Sequence, residues 1–133
     1  MGKEDLMPSE SEWLVMEILW DNAVPLTSME VIRRVQENRK MSAKTVRVLM
    51  NRLCQKKIID YTVDKEDARV YHYFALRSKE ECLREKSKHF IDSYFSGNKT
   101  NALAALLKNC DLTTEQIEEL EGILEKSKER DDK

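Results

Sequence analysis

Three places in this chain announce a helix start by the same device. Ser9-Glu10-Ser11-Glu12, Thr27-Ser28-Met29-Glu30 and Ser78-Lys79-Glu80-Glu81 are capping boxes. In each, the first hydroxyl accepts from the fourth residue's backbone N–H, and the Glu carboxylate accepts from the first residue's backbone N–H. Ser42 is a further N-cap, and Thr113-Thr114-Glu115-Gln116 opens a last helix. A chain punctuated this way folds mainly as helices. Its 3 Gly and 2 Pro in 133 residues leave few interruptions, and 41% hydrophobic residues are enough for a packed core.

The first helix is expected to run to about Asp21, with Trp13, Met16, Leu19 and Trp20 on its apolar face and Val15 and Ile18 widening it. Asp21-Asn22-Ala23-Val24-Pro25 breaks the chain. The second helix runs to about Glu37, with Met29, Ile32 and Val35 facing inward. Ser42 to Lys57 reads as the third. Val46, Leu49, Met50 and Leu53 make a narrow apolar stripe at i, i+3, i+4 and i+7, and Lys44, Arg47, Val48, Asn51 and Gln55 project elsewhere. After Lys57 the pattern becomes that of strands. Residues 58–63 and 70–75 are β-branched and aromatic, and the polar link 64–69 fits a hairpin loop. A basic third helix followed by a β-hairpin is the order of a winged helix-turn-helix domain, here residues 1–77.

Residues 78–133 form a second, helical segment. A long helix should reach about Phe95, with Leu83, Phe90, Ile91, Tyr94 and Phe95 as apolar positions. Gly97 suits the left-handed position that ends it. A short helix from about Asn101 to Lys108 follows, then a last one with Ile117, Leu120, Ile123 and Leu124 on one side; the charged tail from Lys126 is expected to fray. Three such helices make a poor core alone, and Ala102, Leu103, Leu106 and Leu107 are more apolar surface than one copy covers. A homodimer is expected, held by Leu83, Phe90, Tyr94, Leu103, Leu106, Leu107, Leu120 and Leu124. The fold class is therefore mainly α with a small β-hairpin: a winged helix-turn-helix domain followed by a three-helix dimerisation segment.

Charge distribution points to the partner. The chain's net charge is −2, yet Arg33 to Lys57 carries nine Lys or Arg and a single acidic residue, Glu37. The third helix is read as lying in the major groove of double-stranded DNA. Lys44 and Arg47 stand in its first half, where base edges are met, and an Arg there binds guanine O6 and N7 together. Thr45 is placed to reach a phosphate and Val48 a thymine methyl, while Asn51 and Arg52, further along, are assigned to phosphates. Arg33, Arg34, Arg39 and Lys40 flank the helix as further phosphate neutralisers. On the wing, Asp64, Glu66 and Asp67 repel the backbone, leaving Arg69 as the one assigned contact.

Ser11-Glu12-Trp13-Leu14-Val15-Met16 with Trp20, and Lys44-Thr45-Val46 with Leu49 and Arg52-Leu53, resemble the first helix and recognition helix of the penicillinase repressor family. The hairpin with Tyr71 and Tyr73 and the three-helix tail also fall where that family has them, so the resemblance covers roughly residues 8–126. The family includes the BlaI and MecI repressors of β-lactam resistance and the copper-responsive CopY repressors. The resemblance implies a dimeric winged-helix repressor on a dyad operator. In the β-lactam branch it also implies a membrane sensor-protease that leads to cleavage of the repressor at an Asn-Phe bond in the short C-terminal helix. The corresponding dipeptide here is Ala105-Leu106, a departure from that pattern. The copper branch carries paired Cys-x-Cys motifs, which this chain lacks, so it sits nearer the β-lactam branch.

Other classes find little support. Cys54, Cys82 and Cys110 are odd in number and widely spaced, unlike a secreted disulfide framework. Cys82 and His89 lie seven residues apart, two helical turns, too far to share a metal, and no metal or other cofactor is expected. No nucleophile–base pairing or phosphate-binding glycine loop marks an enzyme. Gly2 is a poor myristoylation site because Leu6 stands where Ser or Thr is needed. The start has no apolar signal region, and the longest apolar run, Ala102–Leu107, is far too short for membrane insertion. A cytoplasmic protein is expected. The rival readings are a winged-helix module whose third helix binds an acidic protein, and a repressor with a non-proteolytic inducer.

Overall fold

The computed structural model describes residues 6–131; the Gly2 site lies outside them. The chain divides into two compact units, residues 1–89 and 90–133. In chain order the elements are α1 (Glu10–Trp20), β1 (Leu26–Thr27), α2 (Ser28–Asn38), α3 (Ala43–Gln55), β2 (Ile59–Val63), β3 (Tyr71–Ala75), α4 (Lys79–Phe95), α5 (Lys99–Lys108) and α6 (Thr114–Asp131).

The caps act as expected. Ser9 Oγ accepts from Glu12 N at 3.2 Å while Glu12 Oε1 accepts from Ser9 N at 3.0 Å. Thr27 and Glu30 repeat the arrangement at α2. That backbone hydrogen bond from Thr27 holds the Glu30 carboxyl below its usual range. Ser42 Oγ accepts from Thr45 N at 3.1 Å. At its other end α3 closes in a Schellman motif: Lys57 N donates to Cys54 O and Ile58 N to Leu53 O, both at 3.0 Å. Lys57 takes the left-handed position there, at φ 61°.

The core of the first unit lies where α1, α2, α3 and the sheet meet. Val15, Met16 and Leu19 of α1, Val31, Ile32 and Val35 of α2, and Val46, Leu49, Met50 and Leu53 of α3 are buried with Leu26, Ile58 and Ile59. Met29 does not face inward as its spacing predicted. It is 57% exposed, and Val31 takes its place in the core. Met29 sits in the first turn of α2 with its sulfur beside Arg47 of α3, and the inward stripe starts two residues later.

The sheet also differs from a two-stranded hairpin. It has three antiparallel strands in the order β1-β3-β2, because Leu26 and Thr27 pair with Tyr73 and His72. β1 carries no strand pattern of its own; it is extended because it leads into the Thr27 cap and lies against β3. Three helices with this sheet make a winged helix, with β2, β3 and their loop as the wing.

Two contacts tie distant segments together. Trp20 Nε1 donates to the Arg77 carbonyl at 2.8 Å, holding the entry to α4 against the end of α1. Glu12 is 2% exposed, and Lys56 Nζ donates to its Oε1 at 2.6 Å and to the Met7 carbonyl at 3.1 Å.

In the second unit Gly97 has φ 82°, as its place after α4 requires, and Ser96 beside it is also left-handed at 49°. The tail does not fray at Lys126; α6 continues to Asp131. Lys128 and Arg130 in its last turn match the negative end of the helix dipole, and Ser127 Oγ donates to the Ile123 carbonyl at 3.1 Å. Ala102 is the one fully buried residue among the described residues of this unit.

Candidate nucleic-acid interface

α3 is gripped by the core along one side and open along the other. Val46, Leu49, Met50 and Leu53 are buried; Lys44, Thr45, Arg47, Val48, Asn51 and Arg52 are all exposed. Helical spacing places Lys44, Arg47, Val48 and Asn51 in one row, with Thr45 and Arg52 alongside Val48. The six side chains assigned from sequence therefore share one open surface. The apolar stripe sets its orientation: rotating α3 to hide the cations would expose Val46 and Leu53.

The surroundings are arranged around that surface. Gln36 Nε2 donates to the Met41 carbonyl at 3.1 Å, bracing the turn between α2 and α3. Arg33, Arg39 and Lys40 are exposed, and Arg34 Nη1 donates to Asn22 Oδ1 at 2.9 Å. Thr45 Oγ1 lies 2.9 Å from Ser42 Oγ. Arg47 Nη2 lies 3.8 Å from the sulfur of the exposed Met29. A cleft of about 210 Å³ is lined by Ser28, Arg47, Met50, Asn51 and Tyr73. Ser28 and Tyr73 were not legible as site residues, because the cleft joins three elements that are far apart in sequence.

The wing loop is self-contained. Asp64 Oδ2 accepts from the backbone N–H groups of Glu66 and Asp67, both at 3.0 Å, and its Oδ1 lies 2.9 Å from His72 Nε2. The His72 hydrogen bond, with the backbone donors, keeps the Asp64 carboxyl below its usual range. Arg69, 90% exposed, donates to both carboxylate oxygens of Asp67 at 3.1 and 3.2 Å. Its charge is thus matched within the loop, though an exposed pair of this kind is weak and yields to a phosphate.

The model of the penicillinase repressor family matches residues 8–126. The chain belongs to the penicillinase repressor family. The methicillin resistance regulatory protein MecI of Mammaliicoccus sciuri is 32% identical over 118 residues, covering 89% of this chain and 93% of that protein. The penicillinase repressor of Staphylococcus aureus is 27% identical over 124 residues, covering 93% and 95%. Among solved structures, a point mutant of Staphylococcus aureus MepR superposes with a TM-score of 0.53 at 19% identity, over 92% of this chain and 78% of that one. The Staphylococcus aureus MepR–DNA complex gives 0.50 at 18%, over 80% and 82%. At these identities the structures establish the fold.

In this member of the family, the Lys44-Thr45-Val46 and Arg52-Leu53 run lies on α3 and Ser11–Met16 with Trp20 on α1. The cysteines are free thiols: Cys54 partly buried, Cys82 buried and Cys110 exposed. Burial pushes the Cys54 and Cys82 thiols up. No His, Cys, Asp and Glu group with metal-holding geometry occurs among the described residues, and no helix among them is long and apolar enough to cross a membrane.

Proposed function

We propose that the chain is a transcriptional repressor that reads a DNA operator with α3 in the major groove. One observation carries this reading: a core-anchored helix presents Lys44, Arg47 and Arg52 on an open face with no acidic side chain on it. Lys44, Arg47 and Val48 meet base edges, while Thr45, Asn51 and Arg52 hold phosphates. The relatives are named as regulators of methicillin resistance and as penicillinase repressors, which supports genes of β-lactam resistance as the targets.

The repressor acts as a homodimer on a dyad site. The second unit leaves Tyr94, Leu103, Leu106, Leu107, Leu120 and Leu124 exposed, and Leu83 and Phe90 on α4 are exposed as well. A unit with one fully buried residue among its described residues gains stability by covering that surface with a second copy. Release follows cleavage at Ala105-Leu106 through a membrane sensor-protease. That bond lies inside α5, where the Ala105 carbonyl accepts from Asn109 N at 3.2 Å and Asn109 Nδ2 at 2.7 Å. Cutting there needs α5 to open locally first.

The test is a binding titration of the wild type and Arg47→Ala against the chain's own promoter region and a scrambled duplex. The wild type should prefer the promoter. Arg47→Ala should lose about 1–3 kcal/mol on it and much less on the scrambled DNA. Equal wild-type affinity for the two duplexes would remove the operator reading and leave an acidic protein as the partner to seek.

A further inference from the structure

Three tyrosines lie on one face of the wing. β2 and β3 pair with Tyr61 opposite Tyr73 and Val63 opposite Tyr71. Strand side chains alternate, so Tyr61, Tyr71 and Tyr73 share a side, while Asp60, Thr62, His72 and Phe74 share the other. The Tyr61 and Tyr71 rings stack at 4.3 Å with 10° between planes, and Tyr73 lies 5.5 Å from Tyr61. The ladder starts at the core, against which Tyr73 and Ala75 pack, and ends in solvent at Tyr71. Tyr73 also lines the cleft that contains Arg47 and Asn51, so the ladder begins beside the open face of α3.

Among the described residues no protein group hydrogen-bonds any of the three phenol hydroxyls. Packed rings with free O–H groups are positioned donors. Burial raises the Tyr73 phenol further above its usual value, so it remains a donor at neutral pH. The wing offers few cations, and acidic residues match them: Arg69 pairs with Asp67, and Lys65 stands between Asp64 and Glu66 in the chain.

We propose that Tyr61, Tyr71 and Tyr73 are the wing's own contact with duplex DNA, donating phenol O–H groups to phosphate oxygens along the strand bordering the groove that α3 enters. The rings lie against the deoxyribose and keep water from those hydrogen bonds. The contact rests on the operator reading of α3 but is independent of base sequence: it fixes how the repressor sits, and α3 reads. It uses no cation, so it adds nothing to counterion release.

The test uses the triple variant Tyr61→Phe, Tyr71→Phe, Tyr73→Phe, which keeps rings and stacking and removes only the donors. An unchanged thermal midpoint checks its fold. Wild type, triple variant and Arg47→Ala are titrated on promoter and scrambled duplexes at several salt concentrations. The triple variant should lose at least about tenfold on both duplexes, the worth of a single charge-assisted hydrogen bond being the floor for three donors, with the promoter preference and salt slope unchanged. Wild-type affinity in the triple variant overturns the contact, as does a loss confined to the promoter duplex. A wild type without promoter preference sinks the operator reading alone; the uniform loss in the triple variant then still decides the tyrosines. A wild type that binds neither duplex overturns both.

Discussion

Lys57 holds a backbone conformation that costs any residue with a Cβ about 1–2 kcal/mol. It stands there because the Schellman turn must release the chain from α3 into β2 within three residues, and Ile58 is fully buried right after it. Lys57→Gly should therefore raise stability by up to about 1 kcal/mol, read as a higher midpoint in urea at unchanged slope; a lower midpoint would show that the lysine side chain matters more than the strain. No glycine marks this stop in the sequence, so the end of α3 was legible only from the change of period after it. Gly97 did mark its stop, and the structure places it at φ 82°. The exposed positions of α3 were legible residue by residue, since a four-residue apolar stripe fixes which side is left over.

At the scale of elements, the join between α1 and α3 is the least visible from sequence and among the most consequential. Glu12 serves its own helix as a cap and also takes the Lys56 ammonium, 44 residues away. A local pattern reveals the first role and cannot reveal the second. Lys56→Met leaves a carboxylate that is 2% exposed without its cation and should cost about 3 kcal/mol of unfolding free energy. Glu12→Gln with Lys56→Met should recover part of that loss in a double-mutant cycle. Additive losses would show that the two side chains act separately. The helices and the two wing strands were legible because caps and periodicity are local. β1 was not, since two residues carry no period and owe their extended form to β3 across the sheet. Met29 departs from the apolar spacing of α2 for a similar reason: the stripe is right, but only the partner helix decides where it begins.

For the whole molecule, the division of labour between the two units sets the expected behaviour. The first unit has its own core; the second has an apolar surface in excess of what it buries. Leu106→Asp should give monomers in sedimentation while leaving the first unit folded, and operator affinity should fall because two linked half-sites become separate binding events. A dimer that survives the substitution would place the interface elsewhere. The amphipathic helices of this unit were legible in the sequence; which copies cover them is a matter of surface area and lies outside any local pattern.

The Asp67–Arg69 pairing has a kinetic consequence. With its one strongly exposed arginine matched in the loop, the wing tip draws little on a polyanion from a distance, and Asp64 and Glu66 push weakly against it. The long-range pull comes from the stretch between Arg33 and Lys57. A molecule charged in this way turns its reading helix toward the duplex before contact. It shortens the search among wrong orientations and leaves the wing to engage only at close range.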